Sequence, residues 1–118
     1  YLHWIFPAMR SAFPREWVAT LQKAEALDAT WNVPGHGFVD DAATLKADLP
    51  AFRRAVEQVI AEATRLHAAG APCASRDACA AVAAGNWGEL AEWTLFGSQA
   101  PIAVRRVYDE LEGKLTAP

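Results

Sequence analysis

The stretch running from residue 50 to residue 70, PAFRRAVEQVIAEATRLHAAG, constrains the fold more than any other part of the chain. Phe52, Val56, Val59, Ile60 and Ala63 recur three and four apart, with Leu66 or His67 continuing the row, and Gly70 is a natural stop. A helix with so continuous an apolar face is stable only when other segments cover that face. The chain has 118 residues, 53% apolar and 21% charged, which is one domain's worth of sequence and enough for a modest core.

Several segments can supply the cover. SAFPREWVATLQKAEALDA reads as a first helix, with Pro14 in its first turn and Trp17, Leu21, Ala24 and Leu27 at helical spacing. Residues 31–33 form a candidate strand closed by Pro34 and Gly35, and Phe38 with Val39 a second one. AATLKADL is a short helix that Pro50 breaks or restarts. After Pro72, Ser75 is placed to cap a short alanine-rich helix through Val82, and Gly85 with Asn86 ends it. WGELAEWTLF is helical or partly loop, and Ser98 is the candidate cap of a last helix carrying Val104, Val107, Tyr108 and Leu111. Four or five helices and two or three short strands make an awkward sum, because a lone two-stranded ribbon is marginal in water. The sum points to a partner segment that completes a sheet.

The formal net charge of −3 argues against nucleic acid, and Arg53-Arg54 and Arg105-Arg106 read as solvated helix faces. No run reaches the roughly 20 apolar residues of a membrane span, so no membrane partner is expected. The opening YLHWIFPAM lacks a basic flank and is not read as a signal peptide; the absence of an initiator Met suggests a chain that begins inside a longer product. Cys73 and Cys79 are six apart, and both a disulfide and two free thiols fit that spacing. A disulfide would lean the assignment toward a periplasmic or secreted protein, free thiols toward a cytoplasmic one.

One motif invites a chemical reading. In WNVPGHGFVDD a histidine, His36, stands between Gly35 and Gly37 behind a proline. A tight surface turn explains the glycines. A site residue is the other reading, since an imidazole held on a rigid turn can ligate a metal or move a proton. Asp40 and Asp41 are near enough to orient it, or else to cap the helix that follows. His67 lies late in the long helix and His3 in an aromatic segment, and the cysteine spacing is too wide for a zinc pair. A catalytic zinc site needs three protein ligands, so this chain does not hold a full centre by itself.

EWVATLQKAEALDATWNVPGHGFVDD followed by a long helix resembles the C-terminal part of the metallo-beta-lactamase fold superfamily. The resemblance implies an α+β fold, mostly helical as an isolated chain, forming the C-terminal portion of a four-layer αββα sandwich. Residues 1–70 would belong to that domain and 71–118 to a helical extension packed on it. It implies two Zn2+ ions, or another divalent metal, with His36 ligating one and Gly35 and Gly37 shaping its turn. The family's upstream ligand cluster is absent from these residues. The implied activity is hydrolysis of an ester, lactone, thioester or beta-lactam bond in a small-molecule substrate, given a preceding N-terminal segment. The chain alone would be inactive, and a homodimer is a further candidate assembly. Trp87, Trp93 and Phe96 would pack over the rim of the site or form core. The rival assignments are a helical protein-interaction module and an inactive fragment of a degenerate hydrolase.

Overall fold

The computed structural model describes residues 4–116. In it the central helix starts well before residue 50: α2 spans Ala42–Ala68, 27 residues. Its first turn is capped by Asp41, whose carboxylate accepts from the Thr44 backbone N–H at 2.8 Å and from the Thr44 hydroxyl at 3.0 Å. The break expected at Pro50 does not occur. An interior proline removes a hydrogen bond and costs about 3 kcal/mol. Leu45, Leu49, Phe52 and Val56 are buried on both sides of it, and each buried side chain of that size is worth roughly 1.5–3 kcal/mol. Packing outweighs the local cost, and the apolar face runs through the proline.

Two helices cover that face. α1 spans Pro14–Ala26 and packs along α2, with the Trp17 ring 5.4 Å from that of Phe52 and Leu21 buried. Arg53 of α2 grips the end of α1 through Glu25 at 2.6 Å while also pairing with Glu57 at 2.7 Å. A one-turn helix, α3 (Ala81–Ala84), and a 3-10 turn, Gly88–Glu92, lead to α4, Phe96–Leu111. α4 covers the other side of α2 with Ala100, Ala103, Val104 and Val107. The small alanines let the two helices approach closely.

Helix α4 begins before its expected cap. Leu95 takes a left-handed conformation (φ 68°) at the start, and Ser98 lies in the first turn, its hydroxyl donating to the Leu95 carbonyl at 3.2 Å. Ser75 likewise does not cap a helix; it closes a tight turn, accepting from the Ala78 N–H at both its hydroxyl (3.2 Å) and its carbonyl (3.1 Å). The N-terminal strap is sewn over α4. The Phe6 N–H donates to the Thr94 carbonyl at 2.9 Å, Phe6 and Met9 are fully buried, and the Phe6 and Phe96 rings meet edge-on at 5.3 Å.

These findings correct the expected α+β class and the αββα sandwich. Among the described residues there is no strand, only isolated bridge positions pairing Ile5 with Thr94 and Ser75 with Ala78, and one at His36. Residues 31–33 and 38–39 have no ladder to join, and Pro34 removes a donor where one would be needed. The architecture is a small helical bundle centred on α2.

If the face of α2 is the core, Phe52→Ala destabilises the chain by about 3–5 kcal/mol in urea unfolding. Phe38→Ala, at an exposed position, stays within about 0.5 kcal/mol of the parent. Equal effects at the two positions would contradict the arrangement.

Candidate functional site

Helix α1 stops at Ala26, and Asp28 turns the chain with a positive φ of 49°. Its carboxylate pairs with Lys46 of α2 at 2.5 Å, which pulls its pKa down, chiefly through the hydrogen bond to the lysine. From there to Asp41 the chain has no helix. Leu27, Trp31, Val33, Phe38 and Val39 are all exposed, Phe38 at 83% and Trp31 at 56%. Between described residues, no backbone–backbone hydrogen bond involves residues 29–40. The segment is a loop rich in large apolar side chains, anchored at both ends.

The glycine-flanked histidine sits in the middle of it. Gly37 has φ of 95°, a conformation that favours glycine, so the motif's second glycine has a backbone reason. His36 and Gly35 are exposed. Asp40 accepts from the Asp41 N–H at 2.8 Å. Asp41 is the cap of α2, and its carboxyl is held below the usual range, first by the Thr44 backbone N–H. The two aspartates are thus engaged by the backbone at the start of α2.

The expectation of zinc is overturned here. Among the described residues, no group of three or more His, Cys, Asp or Glu side chains comes together in a way that could hold a metal ion. His67 is placed elsewhere, its Nε2 3.3 Å from the Glu112 carboxylate and its ring edge-on to Tyr108 at 4.8 Å. His3 lies outside the described residues. The donor set does not fit a dinuclear zinc centre, or another divalent metal in its place. With neither the sheets nor the ligands, the resemblance to the metallo-beta-lactamase superfamily and the hydrolase activity it implied are corrected as well.

The C-terminal aromatics have other neighbours. Trp87 is 5% exposed, and its indole N–H donates to the Val82 carbonyl at 2.9 Å. Gly85 makes room for that ring, since a Cβ there would fall 2.5 Å from the indole nitrogen. Trp93 and Phe96 are half-buried, with ring contacts to Trp4, Phe6 and Trp87 rather than to the turn around His36.

Cys73 and Cys79 form a disulfide. The loop it closes is fastened to α4 by Arg105, which donates to the Cys73 carbonyl and pairs with Asp109 at 2.7 Å and Glu112 at 3.2 Å. The Tyr108 hydroxyl donates to the Ala71 carbonyl at 2.8 Å, and burial raises its pKa. Arg105 was legible only as one of two basic residues on a helix; its i, i+4 spacing to Asp109 was the signal that it is held in place.

No protein-family model, curated protein or solved structure matches this chain.

Glu112 offers a pH test of the cluster. Lys114 at 2.8 Å and then Arg105 hold its carboxyl down to about 2, against a usual 4.5. A depressed acid stabilises the folded state above the unfolded pKa, and that contribution fades as pH falls from about 4.5 toward about 2. A side-chain carboxyl NMR titration is expected to place the Glu112 midpoint near 2, and Lys114→Ala to move it upward. An ordinary midpoint in the parent chain would contradict the pairing.

Proposed function

We propose that the chain is a small helical module that binds another protein through the apolar loop at residues 27–39. The observation that carries this reading is the concentration of Leu27, Trp31, Val33, Phe38 and Val39, all exposed, in one short loop. Large aromatic side chains left in water cost little to desolvate on binding and bring some 150–250 Å² of contact area each. They also supply the residue types that dominate binding energy at protein interfaces. The loop is not helical, and between described residues no backbone–backbone hydrogen bond uses its residues 29–39, so main-chain groups there can pair with a partner as well. Asp40 and Asp41 stand exposed at its C-terminal end, their carboxylates bonded to the backbone but still charged, and favour a partner with an apolar groove and a basic rim. The disulfide supports placing the module in an oxidising compartment, the periplasm or the exterior of a cell.

Selection of the 118-residue chain against a displayed peptide library tests the proposal. Enriched peptides are expected to bind a Trp31→Ser/Phe38→Ser variant at least about tenfold more weakly, with its helical circular dichroism unchanged. Peptides that bind the variant as well as the parent, or a failure to enrich any, would overturn it.

A further inference from the structure

We propose a second, separate binding site: the groove between Arg10, the disulfide loop and α4 takes the phosphate group of a small phosphate ester. The groove has a volume of about 490 Å³, within the range of roughly 300–1,000 Å³ usual for small-molecule sites. Its lining includes Arg10, Arg76, Arg105, Arg106 and Lys114. That is five of the chain's 11 Lys and Arg residues, against one of its 14 acidic residues, Asp109. Glu112 and Asp77 pair with lining cations from just outside it, so five basic residues stand against three acids, a local positive excess on a chain that is acidic as a whole.

The arginines fall into two roles. Arg105 is occupied by Asp109, Glu112 and the Cys73 carbonyl, and Lys114 by Glu112, so these two build the wall. Arg10 and Arg106 have no carboxylate within ion-pair distance among the described residues, and Arg76 has only Asp77 at 3.9 Å. Arg106 is nevertheless held still: its Nε donates to the Ala12 carbonyl at 2.7 Å, and its guanidinium lies 5.4 Å over the Phe13 ring. Its two terminal nitrogens make no hydrogen bond to a described residue. Arg76 rides on the disulfide loop, whose position Arg105 fixes. Such guanidinium forks match the oxygens of a phosphate, and a phosphate monoester carries the charge to satisfy more than one of them. A long polyanion is disfavoured, because beyond the groove it would meet the chain's acidic surplus. Ile102 adds an apolar contact for the ester's organic part.

The test is titration of the disulfide-intact chain with phenyl phosphate, followed by arginine Nε–H and backbone NMR. Saturable shifts at Arg10, Arg76 and Arg106 are expected, with about tenfold or greater weakening in Arg10→Ala/Arg76→Ala. Both of those side chains are exposed, so the variant keeps its fold, and an unchanged backbone spectrum checks this. Shifts that do not saturate, or equal affinity in the double variant, would overturn the site. Binding to phosphatidic acid vesicles without binding to phenyl phosphate would overturn the small-ester assignment. Peptide binding through Trp31 and Phe38 is read separately, so failure of either site leaves the other standing.

Discussion

The apolar face of α2 is the surface on which the rest of the chain is laid. Phe52, Val56, Val59, Ala63 and Leu66 are buried between α1 on one side and α4 on the other. An amphipathic helix of this length gains most of its stability from the elements packed on it rather than from its own propensity. Here the same face also dictates what happens at Pro50. With Leu49 and Phe52 both held in the core, the helix continues past a residue that ordinarily ends one. Polar ties then set where the covering elements stop: Glu25 to Arg53 at the end of α1, and the Gln58 amide donating to the Trp87 carbonyl at 3.0 Å before α4.

Much of this was legible before the structure. The stripe of residues 52–66 shows a helix by spacing alone, Asp40 and Asp41 show a cap without deciding between them, and Trp17 with Leu21 shows the face of α1. Residues 31–33 misled because their composition suits a strand, while a strand exists only if another strand pairs with it. The turn around His36 misled for a related reason. A glycine beside a histidine speaks of backbone conformation, as the positive φ of Gly37 but not Gly35 illustrates, and says nothing about which ligating groups lie opposite. The break read at Pro50 was overruled by packing, which spacing does not weigh. The cysteine pairing needed geometry, since six residues of separation allow either outcome.

The two proposed binding features draw on different physics. The loop between α1 and α2 presents apolar side chains that the bundle does not use. The groove beside α4 gathers guanidinium groups that the bundle only partly neutralises. In both cases rigid neighbours do the positioning: the capped start of α2 in the first, and the disulfide with Arg105 in the second. The groove, held this way, loses less conformational freedom when its ligand arrives.

Residue-resolved amide hydrogen exchange tests the helical account most directly. With α2 at the centre of the core, the amides of Phe52, Val56, Val59 and Ala63 are expected to exchange only through global unfolding, while those of Trp31, Val33 and Val39 exchange close to the rate of an unstructured chain. Strong protection at Trp31 and Val33 would mean that these residues sit in a sheet after all, and the bundle described here would be wrong.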